Sequence, residues 1–146
     1  MKLALTLLAS VAFAVPAFAE DWVTYPVEQS FDDAVFAVEN AIIAQGLVID
    51  NVSHVGDMLA RTGADVGSEV PLFEKADVFT FCSAAVSRAV MEVDPTNIAY
   101  CPYGIYVYAM PGEEGMSYVG HRTYPDGEMK QVEELLGGII EEAIGE

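Results

Sequence analysis

Cysteine, tryptophan and positive charge are all scarce in this chain. Of its 146 residues only Cys82 and Cys101 carry thiols, and Trp22 is the one tryptophan. The cysteine spacing is not Cys-x-x-Cys, which excludes a thioredoxin-type site. Six Lys and Arg residues stand against 23 Asp and Glu, a formal net charge of -17. That excess repels nucleic acid and anionic membrane, so neither is expected as a partner. It suits solubility or a basic protein partner. There is no Gly-rich phosphate loop and no Gly-x-Ser-x-Gly nucleophile turn. No internal repeat or low-complexity segment occurs, and after residue 19 no apolar run is long enough to span a bilayer. The six methionines are scattered, without the clustering of a methionine-rich copper site. The carboxylates are too numerous to single out an acid/base pair.

What the sequence does contain begins with a secretory signal pattern. Lys2 supplies the positive start, Leu3 to Ala14 the apolar run, Pro16 the break, and Ala17-Phe18-Ala19 the small-residue cleavage site. A cut after Ala19 is expected, with residues 20–146 as one mature domain. No cysteine follows the cut, which argues against a lipid-anchored form. Twelve apolar residues are too few to cross a hydrocarbon core of roughly 30 Å, so no stable membrane anchor is expected. The expected location is periplasmic or secreted. Loss of Lys2 leaves five basic residues against 23 acidic ones, about −18 in formal charge. A chain of this length buries roughly two thirds of its unfolded surface, enough for a core without a metal or several disulfides.

Hydrophobic periodicity predicts an alternation of strands and helices. Trp22 to Val27 reads as a strand, with Pro26 marking an edge. Ser30 caps a helix whose apolar positions run from Phe31 through Ile42, and Gly46 stops it. Leu47 to Ser53 reads as a strand, Asp57 to Thr62 as a short helix, and the stretch holding Gly63, Gly67 and Pro71 as a loop. Val78 to Cys82 is a buried strand. Ser83 caps a helix through Val93, and Asp94-Pro95 ends it. Asn97 to Met110 is expected to be extended, with an interruption at Pro102. Pro111 to Gly115 forms a turn, and Met116 to Tyr124 returns as a strand. In a simple hairpin Tyr108 then faces Tyr118, and Val107 faces Val119. Val132, Leu135, Leu136, Ile139, Ile140, Ala143 and Ile144 make one apolar helical stripe. Gly137-Gly138 weakens that helix by roughly 1 kcal/mol per glycine unless another backbone packs closely there. The expected fold is α+β: one two-layer domain, with a mixed, mainly antiparallel sheet and helices on one face.

Two groups of side chains could carry function. In an oxidising compartment the first reading of Cys82 and Cys101 is a structural disulfide. The alternative is a site, because Cys82 ends a strand just before a helix N-terminus, which favours a thiolate. Cys101 lies where a strand is interrupted, followed by Pro102 and Tyr103. Two thiolates could bind a soft ion such as Cu(I) or form a reversible redox pair. His54 or His121 could complete a metal site, although hydrogen-bonded structural roles are the commoner use of such histidines. Candidate binding residues are therefore Cys82, Cys101, Tyr103 and His121, with the cysteines as the metal ligands if a metal is held; no cofactor is indicated. The second group is Tyr106, Tyr108 and Tyr118, which share one face with Arg122. On the bare side of a two-layer domain these tyrosines form a candidate dimer or ligand face.

Phe81-Cys82-Ser83, Met91-Glu92-Val93-Asp94-Pro95 and Asn97-Ile98-Ala99-Tyr100-Cys101-Pro102-Tyr103 together resemble the domain of unknown function 302 family. Ile105-Tyr106-Val107-Tyr108 and Tyr118-Val119-Gly120 extend the resemblance through most of the mature chain. It implies a TATA-binding-protein-like α+β fold without DNA binding, and a tendency to homodimerise. It also implies that both cysteines occupy family positions. Many members carry Cys-Asn at the second position, whereas here Cys101 precedes Pro102. The family supplies no reaction. The expectation is an exported small-ligand or metal-binding accessory module. The alternatives are a structural or partner-binding protein stiffened by a Cys82–Cys101 disulfide, and a thiol redox protein. An enzymatic role is the less expected outcome.

Overall fold

Alternation with a period of two builds the sheet, and each strand buries one row of side chains while presenting the other. A computed structural model describes residues 21–145. The signal segment expected over 1–19, and both ends of the expected 20–146 domain, lie outside the described residues. The strands are β1 (Trp22–Val27), β2 (Ile49–His54), β3 (Lys75–Phe81), β4 (Tyr103–Ala109) and β5 (Ser117–Arg122). They form one sheet in the order β1-β5-β4-β3-β2. Every pairing is antiparallel, so the sheet expected as mixed has no parallel pair among the described residues.

The helices are α1 (Phe31–Ala44), α2 (Val55–Thr62), α3 (Ala84–Val93) and α4 (Lys130–Ile144). Ser30 caps α1 by accepting from the Asp33 N–H, and Ser83 caps α3 by accepting from the Val86 N–H. Val38 and Ile42 of α1, Val90 of α3, and Val132, Leu136, Ile139 and Ile140 of α4 are fully buried. They pack against Phe79, Phe81, Tyr103, Ile105, Val107 and Val119, which make up the covered face of the sheet. The second helix instead packs against the start of β3. A Cβ on Gly56 would meet the Ala76 backbone nitrogen at 2.6 Å, so glycine is required for that approach.

One local expectation needs correction. Asn97 to Tyr100 is not extended: Pro95–Tyr100 is a 3-10 helix. The Asp94 carboxylate accepts from the Thr96 N–H at 2.9 Å, and the Asn97 amide donates to the Val90 carbonyl at 3.0 Å. These bonds hold the segment helical against its β-forming residues. Gly137 and Gly138 have no close packing to account for them, since a Cβ on either would meet nothing within 4 Å. The register of the β4–β5 hairpin follows the turn, with Tyr108 opposite Tyr118 and Val107 opposite Val119.

Candidate functional site

On the face away from α1 and α4, the cross-strand rows combine small and aromatic residues. One row reads Val78, Tyr106, Gly120, Thr24 from β3 to β1, and the next reads Ala76, Tyr108, Tyr118, Pro26. Because Gly120 has no side chain, the Tyr106 ring lies across it. The Tyr106 hydroxyl thereby reaches Thr24 Oγ1 at 2.5 Å and donates to the Val23 carbonyl at 3.1 Å. A Cβ on Gly120 would lie 2.6 Å from Tyr106 Cζ. Tyr108 is the centre of the aromatic group. It stacks on Tyr118 with centroids 4.9 Å apart, meets Phe73 edge-on at 5.5 Å, and lies 6.1 Å from Tyr106. The Tyr118 hydroxyl donates to Glu113 at 2.8 Å.

Beside this group the surface sinks into an open cleft of about 780 Å³. Its floor is Val78, Gly104, Tyr106 and Tyr108; Trp22, Thr24 and Phe73 flank it. The remaining wall runs from Ala99, at the end of the 3-10 segment, to Pro102, and is completed by Arg122 and Tyr124. The Arg122 guanidinium carbon lies 5.4 Å from the Tyr100 ring centroid and 5.7 Å from that of Tyr124. Burial raises the Tyr106 phenol pKa above its ordinary value, with Tyr108 adding to the rise and the Thr24 bond opposing it. Burial also pushes Tyr124 up to about 12, even with Arg122 acting in the other direction. Both phenols therefore remain neutral at physiological pH. The Tyr124 hydroxyl has no hydrogen-bond partner among the described residues. Its backbone N–H donates to Glu133 of α4, which fixes where the chain turns inward after β5.

Cys82 and Cys101 are joined as a disulfide, with Cα atoms 6.6 Å apart. Cys82 follows β3 directly and Cys101 closes the 3-10 segment, so the bridge ties the cleft wall to the end of β3. Cys101 lines the cleft and the peptide bond to Pro102 is cis. With the sulfurs joined neither presents a thiolate, so the metal alternative applies only to the reduced chain. Among the described residues no group of three or more His, Cys, Asp or Glu is arranged to hold a metal ion.

Cys82 does not itself line the cleft, and the structure does not bring the other two candidate binding residues there. Tyr103 is fully buried on the helix-covered face, its hydroxyl 3.1 Å from Ser87 Oγ. His121 is buried on that same face, with Nδ1 2.7 Å from the Arg122 carbonyl. Strand parity explains both: each is one residue out of phase with the row facing the cleft. His54 lies on the far edge strand β2 and pairs with Asp77 at 2.8 Å. Tyr106 and Tyr108 do line the cleft, while Tyr118 supports Tyr108 from the side. Sequence reasoning passes over Trp22, Thr24, Phe73, Tyr100 and Tyr124. The signal for Trp22 and Thr24 is their alternation on an edge strand; Phe73, Tyr100 and Tyr124 lie outside the strands and offer none.

Fold and cleft define a class: a two-layer α+β domain whose uncovered sheet face carries an aromatic cleft of ligand size. Residues 23–143 match the family described as Domain of unknown function DUF302, and the chain belongs to that family. The fold is similar to the crystal structure of an uncharacterized conserved DUF302 protein from Bacillus stearothermophilus. The TM-score is 0.60 at 14% identity, covering 87% of this chain and 95% of that one. At that identity the likeness speaks for the fold alone. No curated protein matches the chain.

Proposed function

We propose that this protein is an exported accessory module that binds a small, largely apolar ligand in the tyrosine-lined cleft. The observation that carries the reading is the cleft itself. Its volume of about 780 Å³ falls in the range of small-molecule sites, roughly 300–1,000 Å³, and its walls combine aromatic rings with a few polar groups. Tyrosine and tryptophan rings give large contact area at low conformational cost, which suits recognition of flat molecules. In this reading the disulfide holds the wall formed by Tyr100 to Pro102 in place, so the site is formed before the ligand arrives. A basic partner protein, or a second copy covering the tyrosine face, is the competing occupant that the acidic surface and the half-buried rings allow.

Gly104 provides the test. It lies on the cleft floor, and a Cβ there would meet Phe79 O at 3.6 Å and Val78 Cγ1 at 3.8 Å, both ordinary contacts. Those distances accommodate Gly104→Ala, and Gly104→Val fills more of the floor, with an unchanged thermal midpoint as the check that it folds. A fragment screen by ligand-observed NMR should find flat aromatic compounds that saturate on the native protein and lose binding to Gly104→Val. Fragments that bind both proteins equally, or none at all, would refute the proposal.

A further inference from the structure

The class of ligand depends on the one cation at the cleft, which gives the ligand proposed for this site a charge as well as a shape. Carboxylates greatly outnumber cations in this chain, and three of its basic side chains are paired: Lys75 with Asp32, Arg88 with Glu92, and Lys130 with Asp126 and Glu133. Arg122, like Arg61, has no carboxylate within 4.0 Å among the described residues, despite the excess of acid. Its guanidinium lies instead near the Tyr100 and Tyr124 rings at the cleft wall. Contact with aromatic faces fixes the plane of the group and leaves N–H donors directed outward from the rings. Asp21, exposed at the mouth, is the cleft's carboxylate. It repels a second negative charge, as does the acidic surface around it.

We infer, resting on the binding role proposed for the cleft, that it takes a planar aromatic monoanion, its ring against Tyr106 and Tyr108 and its single acidic group on Arg122. The rings provide area without charge preference, and the arginine selects the sign. A dication or polyanion fits neither element. One negative charge satisfies Arg122, and a further one finds no second cation in the lining and is repelled by Asp21.

The test uses three probes that share one ring system and differ in charge: 2-naphthoate, 2-naphthalenemethanol and 2-naphthylmethylammonium. Because Trp22 is the only tryptophan and lines the cleft, its indole N–H resonance reports binding at this place and no other. Naphthoate should bind on the order of tenfold more tightly than the alcohol, and the ammonium compound more weakly than both. Arg122→Gln should remove the preference for naphthoate without weakening the alcohol, and Arg122→Lys should keep part of it. Equal binding of the three probes to the native protein would overturn the charge assignment while leaving the cleft reading standing. A naphthoate preference that survives in Arg122→Gln would overturn it too. If no probe moves the Trp22 resonance, both the charge assignment and the cleft reading fall.

Discussion

Glycine 120 illustrates how one missing side chain organises its surroundings. It lies between Thr24 and Tyr106 in the cross-strand row, and both the Tyr106 ring and the Val23 carbonyl occupy the space a Cβ would need. One of those neighbours is backbone, so the clash cannot be relieved by rotating a side chain. Gly120→Ala should destabilise the protein by about 1–3 kcal/mol, the usual cost of overpacking. Thermal unfolding should read this as a midpoint lowered by several degrees. A second prediction concerns His54, whose hydrogen bond and charge interaction with Asp77 raise its pKa above the usual 6.5. Protonated His54 is favoured by folding, so its stabilising effect is fully present below the unfolded pKa. It is lost as pH rises through the higher folded pKa. Melts recorded between about pH 5 and pH 9 should show that component in the native protein and lack it in His54→Gln. An unchanged pH profile in the variant would show that the pair contributes nothing measurable.

At the scale of elements, α4 contains a defect that packing does not explain. Its apolar stripe is buried, yet Gly137 and Gly138 lie in mid-helix with open space around them. Glycine there costs about 1 kcal/mol relative to alanine through backbone entropy. Gly138→Ala should therefore stabilise the isolated protein by about that amount in urea titrations. Destabilisation instead would mean that something covers this part of the helix in solution. The short helices show the reverse balance. Pro95–Tyr100 has residues that favour extended chain, and capping by Asp94 with the Asn97 side-chain bond overrides them. Such bonds to specific backbone atoms are invisible to periodicity, which is why this segment is not legible in the sequence while the caps at Ser30 and Ser83 are.

For the whole molecule, the Cys82–Cys101 bridge is a covalent cross-link between the end of β3 and the cleft wall. The cysteines are 19 residues apart in sequence. Closing a loop of that size contributes about 3 kcal/mol in the chain-entropy account. The double variant Cys82→Ser, Cys101→Ser should lose about that much in denaturant unfolding, with the m-value showing whether the unfolded state has expanded. Charge acts at this scale as well. With a formal net charge of -17, self-repulsion should make the protein more stable in moderate salt than in its absence, which thermal melts across a salt series would read.

The sequence by itself determined the elements and their faces. Val38, Ile42, Leu136 and Ile140 lie inward because helical periodicity places them together, and the β4–β5 register is set by a seven-residue connection between alternating strands. It also determined the family and the acidic character of the surface. Only the tertiary structure decided which residues meet. Strand parity put Tyr103 and His121 under the helices, although both neighbour cleft residues in sequence, and three aromatic residues from outside the strands, Phe73, Tyr100 and Tyr124, arrived at the cleft. Local patterns record whether a side chain faces a core. They carry no information about which distant segment completes the opposite wall, because that contact is set by how loops close over the sheet.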